Sequence, residues 1–314
     1  MAHKQIVVVG SINIDLVARV EHIPESGQTL LGSNFDIHPG GKGANQAVTV
    51  ARLGYPVQLI GQLGSDVFGQ QLREQMVAMG VDTSCVGIAE GNSGVAVIAV
   101  AVDGENSIIV VPGANLFVLP AYIDLHINVI QNAAAVLAQA EIPFETVLYL
   151  AEICADAKVP LIFDPSPACD LPAKLLTRLT WITPNETEAA FYTARDSKVS
   201  GESDPGTIAH SILSLGVGGV VLKMGSRGAY IATAGSETQI HPFPVEALDT
   251  TAAGDVFNGA FAVGLLRGRT AVESARFASA AAAISVTRPG AQHSAPTMAE
   301  VEDLLQMPLT ATSQ

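Results

Sequence analysis

The stretch "HPGGKGANQAV", residues 38–48, sets three glycines around one lysine and runs into a helix of small residues. Glycines let a ligand lie against bare backbone, and Lys42 and Asn45 add donors beside it. Two nucleotide loops can be tested there. A P-loop needs Ser or Thr after its Gly-Lys pair, but Gly43 follows Gly41 and Lys42, and the upstream glycine is missing. A dinucleotide loop spaces its glycines as GxGxxG, and Gln46 stands in the third place. What remains is a close-approach turn suited to a polyhydroxylated ligand, or a plain strand-to-helix connection with a surface lysine.

A second stretch, "DTTAAGDVFNGAFAVGLL" at 249–266, leads two small residues and a glycine into an apolar helix. Free N–H groups at such a helix start bind anions. Asp255 in the first turn can be a charge that stabilises the helix. Beside an oxyanion hole it can also take the proton of a hydroxyl during phosphoryl transfer. In "TPNETEA" at 183–189, Asn185 can cap a helix with Glu186 and Glu188 in its first turn. Asn185 and Glu188 face one helix end, and could hold Mg²⁺ through waters next to phosphates. The turn Gly225-Ser226-Arg227-Gly228 in "LKMGSRGAY" can follow a nucleotide or simply turn a hairpin.

These residues need a frame that brings them together. Apolar runs without alternation recur as "QIVVVGSI", "VQLIGQL", "AAVLAQAEI", "VPLIFDPS", "TWITPN" and "GGVVLKMG". Buried parallel strands read this way. Helical segments alternate with them: "GANQAVTVARLG", "FGQQLREQMVAMG", "PFETVLYLAEICADAK", "NETEAAFYT" and "GTIAHSILSLG". The pattern predicts an open α/β sheet covered by helices, with ligands at the C-terminal strand ends. Residues 14–37 and 94–111 read as β-structure without helices, the second with a "DGEN" hairpin turn. They form the expected small lid, leaving 1–13, 38–93 and 112–309 as the main α/β domain and 310–314 as a frayed tail.

The 314 residues carry a net charge of -14 with 48% hydrophobic and 15% charged residues. A surface this acidic disfavours nucleic acid and anionic membrane as partners. Cys85, Cys154 and Cys169 are scattered, as reduced thiols in a cytoplasmic protein are. No HExxH pair suggests zinc and no GxSxG elbow suggests a hydrolase. The N-terminal run is a strand rather than a secretion signal, and no apolar run reaches the length of a membrane span.

"GSINIDLV", "PGGKGANQAV", "TPNETEA", "KMGSRG", "DTTAAGDVFNGAF" and "AAAAISVTRPGAQHS" follow one another in the order and spacing of a known family. From about Ile6 to about Leu305 the chain resembles the ribokinase family of carbohydrate kinases. The resemblance implies an open, mostly parallel sheet sandwiched by helices, with a small β-sheet lid. It implies transfer of the γ-phosphoryl group of ATP to a primary sugar hydroxyl, with D-ribose the favoured acceptor. By the same resemblance Asp255 is the base, and Ala252, Ala253 and Gly254 supply the anion hole. Asn13, Ile14, Asp15, Gly41, Lys42, Gly43, Asn45 and Glu141 match sugar contacts. Asn185, Lys223, Gly225, Ser226, Arg227, Gly228, Gly254 and Ser279 match the ATP site, with Glu188 near Mg²⁺. A K⁺ site is implied at Asp249, Thr251, Ser285, Arg288, Gly290 and Ser294. Exposed sheet edges in a lid need covering, which predicts a homodimer through it.

Three positions depart from the family's pattern: Ser279 on the adenine side, Asp164 where Asn is common, and His293 where proline is usual. Rival expectations are a kinase of the same fold for 2-deoxyribose, another pentose or a nucleoside, and a sugar-binding regulator without chemistry. Small apolar lid residues such as Ala96 and Val110 do not rank one sugar over another.

Overall fold

The computed structural model describes residues 4–194 and 203–307; the expected tail at 310–314 lies outside them. Strand β1 (Ile6–Val9) is four β-branched residues buried on both faces. Ile6 and Val8 enter one core and Val7 and Val9 the other, as strand alternation requires. The chain then leaves the main sheet as β2 (Asn13–Arg19), pairs back antiparallel as β3 (Asn34–Gly40), and enters α1 (Lys42–Arg52) through Gly41. Strand β4 (Val57–Gly64), α2 (Val67–Ala78) and β5 (Asp82–Ala89) complete this flank.

A hairpin of β6 (Gly94–Val100) and β7 (Asn106–Val111) joins β2 and β3 in a separate four-stranded sheet, ordered β3-β2-β6-β7. Short helices α3 (Pro120–Asp124) and α4 (Ile127–Gln131) lead to β8 (Ala135–Gln139). The other flank follows as α5 (Phe144–Ala157), β9 (Leu161–Asp164), α6 (Ala173–Leu176), β10 (Trp181–Ile182), α7 (Glu186–Thr193) and α8 (Pro205–Leu213). Strand β11 (Gly219–Lys223) turns into the antiparallel pair β12 (Ala229–Thr233) and β13 (Ser236–Ile240). Helices α9 (Ala253–Leu266), α10 (Ala271–Ser285) and α11 (Met298–Gln306) close the chain.

The large sheet has nine strands, in the order β13-β12-β11-β10-β9-β8-β1-β4-β5. The seven from β11 to β5 are parallel; β12 runs against them, and β13, antiparallel to β12, returns to their direction. Chain order reverses at β1, which pairs β8 on one side and β4 on the other. Ligands gather at such a switch point, beyond the carboxyl ends of the strands. Two glycines let α1 start there. Gly41 has φ +88°, and a Cβ on it would lie 2.6 Å from the Asn13 nitrogen. A Cβ on Gly43 would lie 2.6 Å from the carbonyl carbon of Gly10, so α1 backs directly onto the end of β1. Behind the site Trp181 meets Phe261 edge to face at 5.2 Å, which ties β10 to α9. Among the described residues no helix is long and apolar enough to cross a membrane.

Candidate active site

Helix α9 begins without a side-chain cap. Helices α7, α10 and α11 each start with a capping box, but Ala252 ahead of α9 offers no side-chain acceptor and adopts a left-handed φ of 59°. A non-glycine residue held there costs roughly 1–3 kcal/mol, the kind of strain kept where geometry is needed. The Ala253 N–H turns back to the Thr250 carbonyl at 3.2 Å. That leaves Gly254 and Asp255 as the first-turn donors with no intrahelical acceptor. Of the N–H groups expected to form an anion hole over 252–254, that of Ala253 is turned back and that of Gly254 stays open, with Asp255 beside it.

The Asp255 carboxylate is 5% exposed. Its Oδ2 accepts from Asn45 Nδ2 at 2.9 Å and its Oδ1 from Gln46 Nε2 at 3.2 Å. Burial raises its pKa from 3.8 to about 6; Lys42 and the two amide donors oppose the rise, and Asp164 adds to it. Asp15 is pushed up to about 7 by burial and then by the charges of Glu141 and Asp255. Burial alone would lower the pKa of Lys42. Asp255, Asp164, Glu141 and Glu188 outweigh it and hold the ammonium charged.

The other residues expected as sugar contacts converge at the end of β1. The Ser11 hydroxyl donates to Glu141 Oε2 at 2.5 Å, and the Lys42 N–H reaches the same oxygen at 3.3 Å. Asn13 Oδ1 accepts from Asn115 Nδ2 at 2.7 Å, while Asn115 Oδ1 accepts the Ile12 N–H at 2.9 Å. Asp15 lies opposite Ala96, which pairs in turn with Val110. Ile14 is fully buried, and Gly43 packs on β1 with its N–H 3.4 Å from the Ser11 hydroxyl.

A cavity of about 1000 Å³ opens from Asp255 and Lys42 along α9 and β11. Asn185, Glu188, Lys223, Gly225, Ser226 and Gly228 line one side. Asn185 and Glu188 form a capping box in which both Glu188 oxygens accept, from the Asn185 N–H at 2.8 Å and Nδ2 at 3.1 Å. The Lys223 ammonium is 3.1 Å from Asp164 Oδ1, and a Cβ on Gly254 would lie 3.4 Å from it. Arg227 is absent from the wall and pairs with Glu186 outside. The far end is apolar, with Phe243, Val245, Ala283 and Val286 around Ser279. A purine ring would find stacking surface and one hydroxyl there.

The six residues expected around K⁺ lie off the cavity wall. Asp249 stitches two loops, accepting the Thr251 N–H at 2.9 Å and the Gly290 N–H at 2.8 Å. Those bonds hold its pKa below the usual carboxylate value although burial works against them. The Ser285 and Ser294 hydroxyls turn onto the Ala282 and Ala291 carbonyls, and Arg288 pairs with Glu300. Carboxylate and carbonyl oxygens on two adjoining loops are donors of the type a hard monovalent cation takes. Among the described residues no three His, Cys, Asp or Glu side chains cluster as metal ligands.

Four residues hydrogen-bonded into the candidate site escaped sequence reading: Ser11, Gln46, Asn115 and Gln139. Gln139 had a signal, a polar side chain inside the apolar run "AVLAQ". Asn115 had none, because its partner Asn13 is 102 residues away.

A bare helix start with a buried carboxylate, and a long cavity leading up to it at the switch point, are the equipment of a small-molecule kinase. The chain belongs to the pfkB family of carbohydrate kinases, whose model matches residues 3–298. It is 39% identical over 303 residues to a ribokinase from Bacillus subtilis, covering 96% of this chain and 99% of that one. Among solved structures, a ribokinase from Thermotoga maritima is 39% identical with a TM-score of 0.88, covering 97% of this chain and all of that one. An Arabidopsis thaliana ribokinase complexed with ribose and ATP is 35% identical with a TM-score of 0.90, covering 97% of this chain and 99% of that one.

Proposed function

We propose that the chain transfers the γ-phosphoryl group of ATP to the primary hydroxyl of D-ribose, giving D-ribose 5-phosphate and ADP. The observation that carries this reading is Asp255, one buried carboxylate shared by the bare start of α9 and the Asn45 side of the site. The near full-length likeness to ribokinases, one of them complexed with ribose and ATP, supports the two substrates.

Asn13, Asp15, Gly41, Lys42, Asn45 and Glu141 hold the sugar hydroxyls against the end of β1. Asp255 accepts the proton of the attacking hydroxyl as that oxygen bonds to the γ-phosphorus, and the bond to the bridging oxygen of ADP breaks. Charge on the moving group falls toward the Gly254 and Asp255 N–H groups and the Lys223 ammonium. Asn185 and the turn Gly225–Gly228 line the phosphates, with adenine along Val245, Ala283 and Ser279. Mg²⁺ on the triphosphate, near Glu188, would offset the charge between its β- and γ-phosphates. K⁺ held by Asp249 and the 285–294 loop would steady the segment ahead of α9. Dependence on ATP supports a cytoplasmic setting. In this reading 14–37 and 94–111 act as one lid unit over the sugar.

A coupled ADP-release assay with D-ribose, 2-deoxyribose, other pentoses and nucleosides, with and without K⁺, tests the proposal. Highest turnover with ribose, rising with K⁺, is expected. Turnover with a different acceptor alone would keep the mechanism and move the substrate. Ribose binding without any turnover would point to a non-catalytic sugar binder.

A further inference from the structure

Gln46 stands where a dinucleotide loop would carry its third glycine, and neither the sugar nor the nucleotide contacts use it. It is 1% exposed. Its Nε2 serves two acids at once, donating to Asp255 Oδ1 at 3.2 Å and to Asp164 Oδ2 at 3.3 Å. An amide nitrogen has two hydrogens, one for each carboxylate. Gln139 decides which end of Gln46 faces them, because its own Nε2 donates to Gln46 Oε1 at 2.8 Å. A flipped amide would set oxygen against both acids and forfeit all three bonds. Each acid oxygen then has one donor: Gln46 and Asn45 on Asp255, Gln46 and Lys223 on Asp164.

We infer that Gln46 is a positioning residue, anchored by Gln139, which fixes the rotation of the Asp255 carboxylate and links it through Asp164 to Lys223 at the phosphate end of the cavity. The inference rests on Asp255 being the base. One neutral amide thus sets the angle of the group that takes the proton and ties it to the lysine facing the moving phosphoryl group. A charged residue could not do this. Glutamate would add a third acid, and lysine would add a positive charge that lowers the basicity of the carboxylate. The charges facing Asp255 are Lys42 from α1, Asp164 from β9 and Asp15 from β2, and the Gln46 bond favours its ionised form against burial and Asp164.

The test is steady-state kinetics across pH for Gln46→Met and Gln139→Met, with Asp255→Asn alongside. Methionine keeps the length of glutamine and removes the amide. For Gln46→Met, kcat should fall roughly ten- to hundredfold, as small misalignments of a reacting group do. The ribose KM should stay within about threefold, since ground-state binding is untouched. The acid limb of kcat should move up by about one pH unit, the value of one lost bond to a charged group. Gln139→Met should do the same more weakly. Wild-type kcat and acid limb in both variants, with Asp255→Asn inactive, would overturn the inference and leave the base standing. An active Asp255→Asn would remove the base reading and this inference together. Equal losses of ribose affinity, by calorimetry, and of kcat would also overturn it, because a collapsed sugar site behaves that way. Should Gln46→Met fail to fold, Gln139→Met decides alone, since it keeps the Gln46 amide and removes only its anchor.

Discussion

In the proposed reaction Asp255 acts as a base only while ionised, and its environment makes that a condition on pH. With the group raised to about 6 by burial, kcat/KM for the sugar should fall on the acid side near pH 6. Asp15, raised to about 7 and coupled to the same charges, belongs to that limb, so its midpoint reports the cluster rather than one residue. Asp255→Asn should lower kcat by about 10³-fold or more while ribose binding by calorimetry stays close to wild type. A retained rate would remove Asp255 from the chemistry. The same substitution bears on stability. A carboxyl whose folded pKa lies above its unfolded 3.8 binds more protons when folded, so its ionisation lowers stability as pH rises from about 4 to 6. Asparagine does not ionise. The stability of Asp255→Asn relative to wild type, from denaturant titrations, should therefore increase across that window and be level below it.

At the scale of elements, the contact of α1 with β1 decides whether the site exists. The proposed sugar contacts of β2 and α1 meet because Gly43 lets the helix start against Gly10. A methyl group at position 43 must displace backbone rather than a flexible side chain, which costs about 1–3 kcal/mol as overpacking does. Gly43→Ala should lower the unfolding free energy from urea titration by that amount and raise the ribose KM, with the ATP KM much less affected. A stable variant with an unchanged ribose KM would show that the close approach is not what orders the site. The elements themselves were legible to different degrees. The run Ile6–Val9 announces a doubly buried parallel strand, and "NETE" announces the cap it forms. Strand β5 is missing from the apolar runs because its residues alternate between exposed and buried at the edge of the sheet, whereas β10, only two residues long, lies inside the strand run "TWITPN". Candidate residues carried by one motif, such as Lys42 and Asn45, can be picked out from their spacing. The tether from Asn115 to Asn13 and the Gln46–Gln139 pair cannot, since side chains that meet only after folding leave no spacing to read.

For the whole molecule the open question is what covers the small sheet. Its row Ile37, Leu16, Val97 and Ile109 runs across all four strands, and three of the four stand 46% exposed or more. Phe35 extends this face at 56% exposed, and β3 and β7 leave the sheet with two free edges. An apolar sheet face with open edges invites pairing with another chain. A second copy, related by a two-fold axis, supplies a matching surface without any new partner. We therefore expect a homodimer through this sheet, with the opposite face, where Asp15 neighbours Ala96 and Val110, turned toward the sugar. Ile109→Glu puts a charge at the centre of the covered face and leaves Asp15 and Asp255 untouched. Light scattering at micromolar concentration should give twice the chain mass for wild type and the single mass for the variant. The free lid should then hold ribose less tightly, so the sugar KM should rise more than that for ATP. A wild-type chain that runs as a monomer, with this face bare and full activity, would refute the pairing and leave the apolar row to serve closure of the lid alone.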